Sequence, residues 1–286
     1  MEAGLRAIQL KSLEIYEVFS AFCSRCGLTH FFCGGALIGA ARTGGFIPWD
    51  DDIDVFMMRG DYEKLLPLWK GQQENGRYSM LRTSASEFCD TMLTQFSDNR
   101  TTFVKEGLKD SDINHGLKLE IIPLDAAPPT KLGRWAQIFW ALVFCLYNRG
   151  APPEHRGPFA RVCGKTLLWL VPSYSMRCKI WRFAERRMSK APITECTQFY
   201  TELCVTYKYM KNLYPASIFS SVAYLSFEGL TVPVPAGWKE YLSIAFGDYM
   251  SLPPDTERIA KHPASYVDLD RPYFELRGVA YLEGKA

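Results

Sequence analysis

No stretch of this 286-residue sequence reaches the roughly 18 to 20 consecutive apolar residues that a membrane-crossing helix needs. The nearest approach is Trp135–Tyr147 (WAQIFWALVFCLY), 13 residues flanked by Arg134 and Arg149. That length fits a buried helix, with a helix lying in a membrane interface as the alternative. The N-terminus lacks an apolar core behind basic residues; Met1–Arg6 opens an amphipathic pattern, so a secretory signal is not expected. Internal repeats and low-complexity segments are missing too, which removes solenoid and linker-like readings. Net charge is only +2, too little to argue for nucleic acid from bulk electrostatics. Any polyanion site has to be local.

Cysteine is present but unpatterned. The nine cysteines are odd in number and scattered over a chain far larger than a disulfide-stapled mini-domain. Cys23-x-x-Cys26 is the one suggestive pair, yet no second pair or paired histidines follow it, and both residues fall on the apolar stripe of a helix. Packing is the better reading than zinc or redox chemistry, and reduced thiols imply a cytoplasmic chain.

What the sequence does have is an ordinary globular balance, 48% hydrophobic and 22% charged, in a length that allows one large or two small domains. Leu5, Ile8, Ile15, Phe19, Phe22 and Cys26 recur at helical spacing, so residues 3–26 read as an amphipathic helix stopped by Gly27. Residues 29–33 read as a strand ending at Gly34-Gly35, residues 36–42 as a helix, and residues 54–58 as a second strand. Asp61 is placed as N-cap of a helix carrying Tyr62, Leu65, Leu66, Leu68 and Trp69. Residues 91–98, 101–105 and 117–122 read as strands, and residues 131–213 as mostly helical, interrupted by the Gly/Pro-rich loop 150–158. The tail, with Pro233, Pro235, Pro253, Pro254, Pro263 and Pro272, reads as loop-rich. The expected fold is α/β (α+β): a mixed helix-and-strand core over residues 1–130, then a mostly helical region over 131–286.

Three features carry chemistry. Gly34-Gly35 sits where a strand passes into a helix, so backbone can approach a ligand and helix-start amides favour anions. Four carboxylates, Asp50, Asp51, Asp52 and Asp54, follow between an apolar turn (Phe46-Ile47-Pro48-Trp49) and an apolar run. Strand alternation puts Asp52 and Asp54 on one face, and two acids held there suit Mg²⁺ or Mn²⁺, which bridge carboxylates to substrate phosphates. Asp51 reads as a capping or loop-orienting residue. Glu120, between apolar neighbours in a later strand, is a candidate third acid.

The order of these features resembles the nucleotidyltransferase fold, which implies a catalytic core over residues 1–130 and, within 131–286, a C-terminal block that completes the site. More closely, GGALIGAARTGGFIPWDDDIDV (34–55) resembles the signature of the LicD, or phosphorylcholine transferase, family, to which fukutin-type proteins are also similar. GLKLEIIPLD (116–125) resembles its second motif, and residues 227–262 its C-terminal block. The resemblance implies a transferase that moves a phospho-alcohol, foremost phosphocholine, from a CDP-linked donor to a hydroxyl of a glycan or glycolipid of the cell envelope (teichoic acid, lipopolysaccharide or capsule precursor). It implies Asp52, Asp54 and Glu120 as metal ligands and catalytic acids. Gly34, Gly35 and Arg42 would meet the donor phosphates, and Trp49, Asp51, Asp248 and His262 would contribute to substrate binding. Two departures stand out: Glu120 replaces the family's usual Asp, and Ala36 replaces a small polar residue. Trp49, Tyr62, Trp238 and Tyr241 are candidates for caging a quaternary ammonium. Kept open are phosphoethanolamine, glycerol phosphate or ribitol phosphate as the transferred group, a non-catalytic nucleotide-binding module, and a peripheral membrane contact at the inner face through residues 135–147.

Overall fold

The computed structural model describes residues 2–72, 76–89, 91–152, 157–259 and 263–284. The N-terminal periodicity becomes α1 (Glu2–Arg25), whose buried stripe is Ile8, Ile15, Phe19, Phe22 and Cys23. Cys23 packs as a small hydrophobe whose thiol is pushed up by burial, and none of the nine cysteines, all among the described residues, forms a disulfide. Next come β1 (Phe31–Phe32), α2 (Gly34–Arg42), β2 (Asp54–Met58), α3 (Arg59–Tyr62) and α4 (Leu65–Lys70). Asp61 does not cap a helix as expected. It lies inside α3, where its carboxylate accepts from the Thr29 N–H at 3.1 Å and from Lys64 at 2.8 Å. β3 (Tyr78–Leu81), β4 (Thr94–Asp98), β5 (Thr102–Lys105) and β6 (Leu117–Ala126) follow.

The chain then turns helical with α5 (Lys131–Arg149), α6 (Gly157–Leu170) and α7 (Tyr174–Met188). The helical reading to residue 213 is broken by the strand β7 (Phe199–Glu202), after which the short α8 (Tyr207–Met210) leads into β8 (Tyr214–Pro215). The tail holds a hairpin, β9 (Val222–Phe227) with β10 (Leu230–Pro235), then α9 (Trp238–Phe246) and β11 (Ala264–Asp268). Mixed helix and strand with a central sheet and flanking helices is the α/β class that the sequence pattern suggests.

Two compact units form, each discontinuous in sequence. The first comprises Met1–Leu81, Thr94–Ile122 and Ser217–Ala286. Its sheet runs in the order β1-β2-β6-β4-β3, with β1 antiparallel to β2 and β4 antiparallel to both β3 and β6. α1 and α4 cover one face through an aromatic group: Phe19 and Trp69 both contact Phe96 of β4, and Phe22 contacts Trp69 at 5.2 Å. Phe19, Phe22 and Phe96, each fully buried, contribute about 1.5–3 kcal/mol apiece. β5 pairs with β11, and β10 with β9.

The second unit comprises Arg82–Leu93 and Pro123–Ala216. Here the last residues of β6, Leu124–Ala126, pair antiparallel with β7, which pairs with β8. α5 starts at Thr130, whose hydroxyl accepts from the Gly133 N–H, and ends at Gly150 in the left-handed conformation. α5 and α7 pack through Phe144 and Trp181, ring centres 6.0 Å apart.

Candidate functional site

All the acids singled out in the sequence lie in the first unit. β2 starts only at Asp54, so Asp50, Asp51 and Asp52 belong to the loop before it rather than to the strand. Alternation therefore is not what gathers them. α1 holds the loop instead: Gln9 Nε2 donates to the Asp50 carbonyl at 2.8 Å, and the Ser12 hydroxyl to the Asp51 carbonyl at 3.3 Å. The apolar turn ahead is anchored by buried Phe46 and Ile47, with Phe46 edge-on to Phe227 at 4.8 Å. The loop curls so that carboxylate oxygens of Asp50, Asp51 and Asp52 all lie within 4.8 Å of one another, and Asp50 and Asp51 are buried.

Asp54 opens β2, whose neighbour in the sheet is β6, the strand carrying Glu120. Burial pushes the Asp54 carboxyl well above the usual carboxylate range; Asp52, Glu120 and Asp50 add to this, and the Lys105 ammonium opposes it. Its Oδ1 is buried without any hydrogen-bond partner. Glu120 stands opposite Gln95 on β4, and Gln95 Nε2 donates to Glu120 Oε1 at 3.0 Å.

The glycines meet the same acids. A Cβ on Gly35 would lie 1.9 Å from Asp50 Oδ2, so only glycine leaves room for that carboxylate. Gly34 takes φ +56, a left-handed conformation that disfavours side chains, and its open side faces Asp54 Oδ2. The Gly34 N–H donates to the Tyr241 hydroxyl at 3.3 Å. The start of α2, with its positive dipole end, thus lies against the acid cluster.

Other sequence candidates sit elsewhere. Arg42 ends α2, about 12 Å from Gly34 at 1.5 Å per residue. Its Nε donates to the Tyr249 carbonyl at 2.6 Å and its Nη2 to the Ser251 carbonyl at 2.8 Å. Asp248 is its neighbour there, accepting from the Ser251 hydroxyl and held below the usual carboxylate range by that bond. Trp49 is half-buried beside Asp50, with the Arg258 guanidinium 5.8 Å from its ring centre. Tyr62 and Tyr241 are buried; Tyr241 lies edge-on to Phe56. His262 lies outside the described residues.

Three members of this neighbourhood escape a sequence reading: Asp50 as part of the cluster, Gln95 as the partner of Glu120, and Lys105 as the cation acting on Asp54. The last two come from strands whose pairing no local pattern reveals. Chemically, the clustered carboxylates of Asp50, Asp51 and Asp52, with Asp54, which has an orphaned buried oxygen and is acted on by Asp50, Asp52 and Glu120, offer hard oxygens that fit a divalent cation such as Mg²⁺.

Residues 27–106 match the family described as LicD/FKTN/FKRP, nucleotidyltransferase domain. Among curated proteins, the chain is similar to the lipopolysaccharide cholinephosphotransferase LicD of Haemophilus influenzae. The two are 28% identical over 275 residues, covering 90% of this chain and 96% of that protein. The matched segment holds the Gly34-Gly35 turn, the acid loop and Lys105. The resemblance read from the motifs is thereby shown as a resemblance: residues 27–106 match the LicD/FKTN/FKRP nucleotidyltransferase domain, and the chain is similar to LicD over nearly its whole length.

Proposed function

We propose that this chain is a metal-dependent transferase that moves phosphocholine from a CDP-linked donor to a hydroxyl of a lipopolysaccharide-type glycan. The observation that carries the reading is the Asp54 carboxylate: buried, beside Asp50, Asp52 and Glu120, with one oxygen unpartnered. Such an arrangement is unfavourable unless a cation joins it. Support comes from the similarity to a protein named as a lipopolysaccharide cholinephosphotransferase over nearly its whole length.

In this reading Asp50, Asp52 and Asp54 hold the cation, with Glu120 at its edge. When bound, Mg²⁺ supplies charge neutralisation for the phosphoryl oxygens and the departing CMP. The chain's residues do the rest. The Gly34-Gly35 start of α2 receives the donor pyrophosphate on backbone N–H groups, and the absence of side chains there keeps Asp50 close. Asp54 or Glu120 accepts the proton of the acceptor hydroxyl as its oxygen bonds to phosphorus and the bond to CMP breaks. Gln95 fixes the orientation of Glu120, and Lys105 limits the mutual repulsion of the acids. Arg42 ties the 249–251 segment, and with it Asp248, to the far end of α2. Trp49 and His262 are assigned to the donor head group and acceptor side, and the C-terminal block to completing the site.

The test is CMP release from CDP-choline with lipopolysaccharide acceptor and Mg²⁺, run beside CDP-ethanolamine, CDP-glycerol and CDP-ribitol. Asp52→Asn and Asp54→Asn should each lower the rate by at least about a hundredfold, and a chelator should abolish it. Turnover that survives chelation and both substitutions would sink the reading. Preference for another CDP-alcohol would keep the chemistry and change the head group.

A further inference from the structure

Helices of globular proteins normally turn their apolar stripe inward. α5 carries large apolar side chains outward as well. Its buried positions are Gln137, Ala141, Phe144, Tyr147 and Asn148, two of them amides. Its exposed positions include Leu132, Phe139 and Trp135, the last 68% exposed. At 3.6 residues per turn those three lie within about 60° of one another and roughly opposite Ala141. The orientation is pinned from inside the unit, because Gln137 Nε2 donates to the carbonyls of Ala126 and Met188, each at 2.9 Å.

α6 does the same. Among its described side chains only Gly164 and Leu168 are buried. Phe159 and Trp169 are 82% and 77% exposed, and Val162 and Leu170 are exposed with them. These four span an arc of about 100° on the side away from Gly164 and Leu168. Lys165 and, farther round, Arg161 follow beyond its Trp169 edge.

Charge sets this region apart. Residues 131–190 contain twelve Lys or Arg and two Asp or Glu, so they carry +10 in a chain of +2 and leave −8 for the remainder. Glu185, the one acid in α5, α6 and α7, is paired with Arg82. No helix among the described residues is long and apolar enough to cross a membrane.

We propose that the outward faces of α5 and α6 are a membrane-docking surface whose occupant is the headgroup–acyl boundary of an anionic phospholipid bilayer. Tryptophan and phenylalanine with basic flanks are the side chains that partition into that boundary, and excess positive charge selects anionic headgroups. A second copy of this chain is disfavoured as occupant, since a self-contact would bring two basic 131–190 regions together. The inference goes beyond the transferase reading and does not depend on it, although a lipid-anchored acceptor would give docking a purpose.

Flotation of the full chain with phosphatidylcholine vesicles containing about a third phosphatidylglycerol, beside phosphatidylcholine alone, tests it. The chain should float with the anionic vesicles and bind them less at high salt. Phe159→Ser with Trp169→Ser should cut binding by about tenfold, as should Leu132→Ser with Trp135→Ser. Arg161→Glu with Lys165→Glu should erase the preference for anionic lipid. Tryptophan emission of the unmodified chain should be quenched by brominated acyl chains, a readout that needs no variant to fold. CMP release in solution should stay unchanged in the variants, separating docking from catalysis. A chain that neither floats nor is quenched, or variants that float as the wild type does, would overturn the proposal. So would a dimer in light scattering that Trp169→Ser dissociates while flotation is absent.

Discussion

Asp54 is held in a state that water would not favour. Its carboxyl is surrounded by Asp52, Glu120 and Asp50, is pushed well above the usual carboxylate range, and has one oxygen with no hydrogen-bond partner. Replacing it by Asn removes the charge but keeps the shape. Without divalent cation, Asp54→Asn should therefore raise stability by about 1–3 kcal/mol, while transfer is lost. Thermal melts with and without Mg²⁺ check this: wild type should gain stability from the ion and the variant should not. Gly35→Ala makes the complementary case. The new Cβ would meet only the Asp50 carboxylate tip, which can swing away, so stability should fall by less than about 1 kcal/mol. Activity should fall by about tenfold or more because Asp50 has left its place. A variant that melts early yet keeps full CMP release would contradict this. The convergence of Asp52, Asp54 and Glu120 was legible in the sequence from residue type, spacing and the family signature. The reason given for it was incomplete, since a loop held by Gln9 and Ser12, not strand alternation, brings Asp52 in. Gln95 and Lys105 left no readable signal, because their roles arise only when distant strands meet.

At the scale of elements, two buried titratable groups give pH dependences of opposite sign. His30, just before β1, is enclosed by Tyr16 and Phe19 of α1 and bonded to the Tyr16 hydroxyl at 3.2 Å. Burial lowers its imidazolium to about 4, from 6.5. The neutral ring's contribution is therefore complete above pH 6.5 and lost as pH falls toward 4, about 3 kcal/mol in all. His30→Gln should flatten the acid limb of a denaturant-midpoint profile. Glu202 of β7, bonded to the Tyr214 hydroxyl of β8, is pushed up by burial to about 7, from 4.5. Its protonated form stabilises fully below pH 4.5, and that contribution fades as pH rises through 7, again about 3 kcal/mol. Glu202→Gln should be more stable than wild type at pH 8 and not at pH 4; equal gains at both would refute the burial argument. Neither β7 nor β8 was legible, nor was the β9–β10 hairpin. Proline misled the reading. Pro233 and Pro235 sit in a two-stranded ribbon, where each strand has one open edge and a missing N–H is tolerated. Pro123, just past the expected end of its strand at residue 122, falls between the stretch paired with β4, which ends at Ile121, and that paired with β7, which begins at Leu124. α1, α2, β2 and α5 were legible because periodicity and glycine stops mark them directly.

Across the whole molecule, a net charge of +2 conceals +10 in residues 131–190 and −8 elsewhere. Composition alone gives only the first number; neither does it mark where the chain passes between its two units, at residues 81/82, 93/94, 122/123 and 216/217. A linear reading cannot see one compact unit interrupting another. The two charge figures predict different salt responses. A chain governed by its net +2 would be nearly indifferent to ionic strength, or slightly weakened as surface ion pairs are screened. A chain governed by local repulsion should gain stability as salt rises. The repulsion is concrete on α7, where Lys179, Arg182 and Arg186 follow at helical spacing on exposed positions, and like charges three or four apart oppose each other. Melting temperature should therefore climb between about 0.02 M and about 0.5 M NaCl. Lys179→Glu should reproduce part of that gain at low salt, about 0.5 kcal/mol, by exchanging repulsion from Arg182 for an i,i+3 pair. The same variant should show a shallower salt response than wild type. A melting temperature that falls steadily with salt in both proteins would show that the −8 remainder, with its ion pairs, sets the balance instead.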